Sequence, residues 1–489
     1  MTMFRVERSQ LSIAASALAL CAFAGVTAGV RTPMAPLFGI AVVLALVSLA
    51  AWRNGVMALI IVLPFSGVPV FMVGQSGLAV RDLAIVVPLY AAFALWATDR
   101  RAALLPPLGI ALPALALFAA LVVAHVALAP SLAIGAVGAK VWLAYVPMIA
   151  VGYHYIRTPA DWDRALRLTA LIGLIPAGIA LGEWFIASHH PQTGVWSNNF
   201  GPFRHLYGSW YEQVRTSGLA LPAGSHTFVV PRVPSTFTSS TQFYLFSMVA
   251  YGAGLSQVLR HGRLVWIVFA CVLAAGVIAS GERQAYIAMP ALTAASLLVA
   301  GPGRRQLAVM AAGGAVLVMA LLALGGAPLT VLSLLPAHAH VELLHATGEL
   351  RTSGATGFVG HGTGWDTQAA LRYGGSASKR YVENWYGKAV LELGVVGLAA
   401  IVVALGSLQL RLFASLPRVD ASTRRGAAPI CVLLLAMIAT LFKGPVLDLD
   451  PLNVYFWLLI GMLLSYLQIG RTNNGATNGS SRMQSEASV

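Results

Sequence analysis

Apolar runs of about 16 to 24 residues follow one another along the chain, broken by short connections that carry arginine, glycine and proline. A helix needs about 20 apolar residues to cross the hydrocarbon of a bilayer. The pattern therefore predicts spans at about residues 11–30, 36–51, 55–72, 82–98, 105–127, 132–153, 167–186, 238–257, 264–280, 285–300, 306–326, 388–409, 428–444 and 452–468. The expected fold class is an all-α polytopic membrane protein with about 14 transmembrane helices, 12 to 14 being allowed by the choice of boundaries.

The polar residues between the runs give this bundle a direction. With the N-terminus inside, Arg53, then Arg100 and Arg101, Arg157 and Arg164, Arg260 and Arg263, Arg304 and Arg305, Arg411 to Arg425, and Arg471 all fall on one side. That is the positive-inside pattern, and it predicts cytoplasmic termini. The two long connections, 187–237 and 327–387, then lie on the outer, periplasmic side. Long loops between packed elements are commonly functional. Residues 1–470 are expected to form a single transmembrane domain that includes both loops, with 471–489, RTNNGATNGSSRMQSEASV, as a disordered cytoplasmic tail.

Composition agrees with a membrane protein: 58% of residues are hydrophobic and only 10% are charged. The formal charge of +14 would suit nucleic acid, but the basic residues are scattered in short inter-span clusters rather than gathered on one hydrophilic face. Three cysteines, all within apolar stretches, give neither a disulfide framework nor a thiolate metal site. The basic then apolar N-terminus has the outline of a signal peptide but reads as the first span.

Basic residues on the outer side run against the charge rule, so Arg204, Arg215, Arg232, Arg283, Arg351, Arg372, Lys379 and Arg380 carry more information than the cytoplasmic clusters. Arg232, in VVPRVPSTF, and Arg283, in IASGERQAY, stand close to the mouth of the bundle. The planar donor fork of arginine suits phosphate oxygens; an interfacial salt bridge is the alternative, with Glu282 a local partner for Arg283. The glycine-rich FVGHGTGW lacks the lysine and serine of a P-loop and follows no strand, so it is no nucleotide site. Its glycines permit a tight turn whose N–H groups approach a ligand, or simply a flexible loop; His361 within it is a candidate substrate contact. Further on, SKRYVENWYGK brings Glu383, Asn384, Trp385 and Tyr386 to the membrane surface. Glu383 is a candidate general base toward a sugar hydroxyl, with Asn384 and Tyr386 as candidate substrate contacts. Glu392, deeper in the same helix, needs a partner such as Lys388 or a cavity. Lys140, Lys443, Asp448 and Asp450 suit a satisfied buried network or a cavity wall. His338, His340 and His345 match a metal set by spacing alone, and no metal or cofactor is expected.

Taken together, PRVPSTFTSSTQF, ASGERQAY, VGHGTGW, ENWYGKAVLELGVVGL and DPLNVYFWLLIGMLL resemble the bacterial O-antigen ligase and polysaccharide polymerase superfamily, over residues 232 to 465. The resemblance implies a GT-C-like glycosyltransferase of the bacterial inner membrane, with its active site toward the periplasm. Its donor would be an undecaprenyl-diphosphate-linked glycan, its acceptor a glycan or lipid A core, and its chemistry metal-independent and inverting. Arg283 and Arg232 would hold the diphosphate and Glu383 would take the proton, while Arg204, Arg215, His361, Lys379, Arg380, Asn384 and Tyr386 contact substrate. Membrane lipid and partners that set chain length or export the product belong to the same implication; nucleic acid does not. Ligases of this group carry a histidine before the asparagine where this chain has Glu383. That departure favours a polymerase of O-antigen, capsule or exopolysaccharide over a ligase, with a lipid-linked glycan transporter as the reading outside enzymology.

Overall fold

The computed structural model describes residues 34–73, 81–101, 103–189, 219–223, 226–230, 232–282, 284–301, 303, 358–365, 382, 384–444 and 446–486. In chain order the longer helices are α1 (Met34–Ala50), α2 (Trp52–Val62), α3 (Gly67–Val73), α4 (Val87–Asp99), α5 (Ala111–His125), α6 (Leu132–Leu143), α7 (Met148–Tyr155) and α8 (Pro159–His189). A short antiparallel hairpin, β1 (Leu219–Ala223) and β2 (His226–Val230), sits within the first long connection. Helices α9 (Ser240–His261), α10 (Leu264–Ala279), α11 (Ala285–Ala300), α12 (Trp385–Ser415), α13 (Ala421–Thr440) and α14 (Leu452–Glu486) complete the series.

Seven helical segments among the described residues are long and apolar enough to cross a membrane: Asp82–Asp99, Ala111–Leu128, Leu132–Tyr155, Pro159–Phe185, Trp385–Arg418, Ala421–Thr440 and Leu452–Thr472. Four shorter apolar helices accompany them, at Gly39–Ala50, Trp52–Phe65, Leu264–Ala279 and Ala285–Ala300. The molecule is a multi-pass helical membrane protein. The spans expected at 11–30 and 306–326 lie outside the described residues.

The departures from the hydropathy reading have local causes. The expected span 55–72 is interrupted by a 3-10 turn, Leu63–Phe65, centred on Pro64, which has no N–H for the helical ladder. The span 132–153 breaks between Leu143 and Met148, ahead of Pro147. Helix α14 continues to Glu486, so the segment from Arg471, expected as a disordered tail, is helical through that residue. Proline sits inside α8, α11 and α13 (Pro176, Pro290 and Pro429) without ending them; in bilayers neighbouring groups take up the freed carbonyls.

The chain groups into two compact units. One comprises residues 1–104, 164–250 and 272–285. Its described core holds Phe237 against Phe246, ring centroids 5.3 Å apart, and Trp52 edge-on to Phe93 at 5.2 Å. The other comprises 105–163, 251–271 and 286–489. Here α7 and α14 lie against each other with almost no side chain between them: a Cβ on Gly461 would stand 2.0 Å from the Ile149 carbonyl oxygen, and one on Gly152 2.3 Å from that of Leu458. Small residues at such crossings allow the backbone approach that drives helix association in lipid. Further along α14, Tyr466 stacks on Trp162 of the first turn of α8, ring centroids 4.7 Å apart.

Candidate functional site

In the first unit, Arg232 and Glu282 face each other. Helix α10 ends at Ala279, and the chain turns through Gly281, whose φ of 69° requires the left-handed region open to glycine. The turn is tied by Ser280 Oγ, which donates to the Val277 carbonyl and accepts from the Glu282 N–H at 3.3 Å. Glu282, buried, thereby points at the start of α9, where Ser240 Oγ and Thr241 Oγ1 both donate to its Oε1, at 2.7 and 2.9 Å. Its other oxygen, Oε2, is 3.7 Å from Arg232 Nη2. That distance is too long for a hydrogen bond.

The Arg232 guanidinium is therefore oriented but not used up. Its side chain is 29% exposed, and its Nε is buried with no hydrogen-bond partner. A buried donor without an acceptor costs about 1–3 kcal/mol, which an incoming anion would recover. The backbone carrying Arg232 is fixed from below. Ser235 takes a left-handed φ of 54°, its N–H donates to the buried Glu183 carboxylate at 3.0 Å, and its hydroxyl donates to the Pro176 carbonyl at 2.7 Å. Thr236 then donates to the Pro64 carbonyl and accepts from the Gly67 N–H. The turn at Pro64 and helix α8 at Pro176 are thus both tied to residues 232–237.

The second unit holds the start of α12. Asn384 is its N-cap: the side-chain oxygen accepts from the Tyr386 and Gly387 N–H groups at 2.9 and 3.2 Å, and the residue is fully buried. Expected as a substrate contact, Asn384 instead commits its acceptor to the helix terminus. The Tyr386 hydroxyl donates to the Ile438 carbonyl at 2.9 Å. One turn further in, Lys388 pairs with Asp448, which also accepts from Trp385 Nε1 at 3.1 Å. Glu392 accepts from Trp142 Nε1 at 2.7 Å, and the Lys388 ammonium lies 5.0 Å from the Trp142 ring centroid. The buried ionisable groups in this part of α12 have partners drawn from two other segments, at Trp142 and Asp448.

The glycine-rich FVGHGTGW packs inward against this unit's backbone. The N–H groups of His361, Gly362 and Thr363 donate to the carbonyls of Leu391, Glu392 and His125, at 2.8, 3.0 and 3.1 Å. Helix α12 is broken at Gly394 (φ 70°, ψ −177°), which frees the carbonyls that His361 and Gly362 take up. His125 Nε2 adds a contact to the Val359 carbonyl at 2.6 Å. Those N–H groups are committed to protein carbonyls, so the turn is a plug for a broken helix and not a ligand cradle. The His361 side chain stays exposed, its ring 5.6 Å from that of Trp365.

Of the site residues expected from the sequence, Arg232, His361, Asn384 and Tyr386 are described. Arg283, Glu383, Arg204, Arg215, Lys379 and Arg380 lie outside the described residues, as do His338, His340 and His345. Among the described residues no group of three or more His, Cys, Asp and Glu side chains is placed to hold a metal ion. The hydroxyls of Ser240 and Thr241 on Glu282 escaped sequence reasoning, although the run TSST ahead of an apolar helix was a signal for them. The sequence matches no family model and no curated protein.

Proposed function

We propose that this protein is a glycosyltransferase of the bacterial inner membrane that joins undecaprenyl-diphosphate-linked repeat units into O-antigen, capsule or exopolysaccharide at the periplasmic face. The observation that carries the reading is Arg232: an outer-side arginine by the charge pattern, oriented by Glu282 at 3.7 Å, with a buried donor left open. Such a group suits an anionic diphosphate.

In the proposed reaction an acceptor hydroxyl oxygen attacks the anomeric carbon of the donor sugar. The bond from that carbon to the diphosphate oxygen breaks with inversion, and the lipid diphosphate departs with the electron pair. Glu383 takes the hydroxyl proton, while Arg283 and Arg232 stabilise the charge on the leaving group. Fixed guanidinium donors aimed at developing charge supply the stabilisation a metal ion provides elsewhere. Arg204, Arg215, Lys379, Arg380, His361 and Tyr386 are assigned to substrate binding in this proposal; Asn384 is assigned to the helix cap.

The test is product identity. Purified protein in nanodiscs is given its lipid-linked repeat unit with and without lipid A core, and products are resolved by gel and mass analysis. A ladder of lengthened lipid-linked glycan without core supports the polymerase; product only with core makes the protein a ligase; no product with either acceptor overturns the enzyme reading and directs attention to transport.

A further inference from the structure

A second basic site lies in the unit formed by residues 105–163, 251–271 and 286–489, where the end of α12 and the middle of α14 meet the chain at Pro107 and Tyr153. A cavity of about 350 Å³ opens there, lined by Pro107, Tyr153, Arg411, Ser415, Gln468 and Arg471 among others. Arg411 and Arg418 are both close enough to act electrostatically on Arg471. None of the three is paired with a carboxylate among the described residues, and Arg411 and Arg418 make no side-chain hydrogen bond there. Arg471 Nη2 donates to Ser415 Oγ, but its Nε is buried without an acceptor. Tyr153 and Gln468 bond to each other at 2.7 Å across the wall.

Arg411 and Arg471 in the cavity wall, with Arg418 near Arg471, repel one another without a counter-ion, and a buried Nε without an acceptor adds a desolvation cost. One bound phosphate answers both, because the guanidinium fork matches its oxygens. The surroundings say which kind of phosphate. Leu410, beside Arg411, is 72% exposed, and Ile110 is also 72% exposed. Ile110 follows Gly109, where a Cβ would lie 3.2 Å from Arg411 Nη1. A cavity with Arg411 and Arg471 beside Leu464 and Leu467 in its wall thus has exposed apolar side chains next to it, on helix α12 and at the start of α5. The volume sits at the low end of the roughly 300–1,000 Å³ of small-ligand sites, enough for a headgroup whose acyl chains lie outside along the helices. We infer that this cavity is a binding site for the headgroup phosphate of an anionic phospholipid, the arrangement that basic pockets between transmembrane helices favour. By the charge pattern the leaflet is the cytoplasmic one. The inference stands independently of the glycosyltransferase reading.

Native mass spectrometry of the full chain, released from nanodiscs of mixed phosphatidylcholine and phosphatidylglycerol, tests it. The wild type is expected to retain phosphatidylglycerol in preference to phosphatidylcholine. R411Q/R471Q is expected to lose about tenfold or more of that retention, in line with the removal of charge-assisted hydrogen bonds. R263Q, at a basic connection elsewhere, is expected to behave as wild type. R411K/R471K, which keeps the charge without the fork, should fall between, and single R411Q serves under the same criterion if the double variant does not purify as folded protein. Equal retention of the two lipids, or unchanged retention in R411Q/R471Q, overturns the site. Displacement of phosphatidylglycerol by inorganic phosphate at matching concentration overturns the lipid assignment in favour of a free anion.

Discussion

Lys388 and Asp448 form an ion pair in which the lysine side chain is 1% exposed and the carboxylate 16%. Sixty residues apart in sequence, they tie the first turns of α12 to the 3-10 turn before α14. Charges in membrane interiors are rare and carry either function or necessary structure. Here Trp385, Trp142 and Glu392 complete a network that secures the helix start immediately after Glu383 in sequence.

Removing one partner should leave the other charge buried alone. K388M or D448L is expected to cost about 3–5 kcal/mol, and K388M/D448L to recover much of that loss, because a buried pair replaced by apolar residues is often neutral. Denaturant unfolding in detergent measures it. A double variant no more stable than the worse single variant would show that the network acts through contacts other than charge.

Gly394 and the turn 358–365 depend on each other in the same way. A Cβ at Gly394 would lie 2.1 Å from the Phe358 carbonyl oxygen, and the residue's φ is 70°. G394A should destabilise by more than the roughly 1–3 kcal/mol of the dihedral alone, since the plug must also be displaced. Proteolysis within the turn, slow in wild type, should accelerate; an unchanged cleavage pattern would contradict the role given to the plug.

Much of this architecture was legible in the sequence, and the parts that were not have identifiable reasons. Hydropathy places a helix at each expected span that falls in the described residues, because length and apolarity are local properties. The break at Gly394 is not local. Leu391 and Glu392 leave the helical ladder because His361 and Gly362 bond to them from a distant segment. Likewise Glu392 finds Trp142 across 250 positions, where sequence reasoning looked four residues back to Lys388. Asn384 teaches the opposite lesson: an asparagine just before an apolar helix is a local N-cap signal, and Asn384 fills that role although its expected role was substrate contact. Arg232 stands out because the charge pattern assigns it to the side where basic residues are disfavoured, whereas its partner Glu282, held by Ser240 and Thr241, is visible only in the structure.

Asp420 offers a pH-dependent test outside the spans. It caps α13, accepting from the Thr423 N–H at 2.9 Å and from the Thr423 hydroxyl at 2.6 Å. Burial alone raises its pKa, but the hydrogen bonds from Thr423 and Ser422, with the nearby Arg260 charge, outweigh it and hold the carboxyl below its usual value. A depressed folded pKa gives stability that is present above the unfolded value and lost as pH falls through the folded one. D420A is therefore expected to cost about 1 kcal/mol at neutral pH, with the difference shrinking as pH drops below the ordinary carboxylate range. Thermal melts across acid pH check it, and a difference that grows on acidification would contradict the cap.

Arg232 is expected to matter for turnover and little for folding. An ion pair at 3.7 Å with a part-exposed arginine contributes about 0–1 kcal/mol, whereas a charge-assisted hydrogen bond to a leaving diphosphate contributes about 1.5–3 kcal/mol. R232Q should therefore melt close to wild type while kcat/KM falls by about tenfold to a hundredfold, with R232K intermediate for want of the fork. A large loss of stability with unchanged kcat/KM would make Arg232 a structural residue.

The most direct measurement of the central claim is the time course of glycan extension by purified protein in nanodiscs, with its undecaprenyl-diphosphate repeat unit as sole substrate and E383Q and R283Q run beside wild type. The account predicts a lengthening lipid-linked ladder from wild type, insensitive to chelator, and its loss in both variants while each remains folded. A verified donor that stays unextended, or a ladder equally strong in E383Q and R283Q, would contradict it.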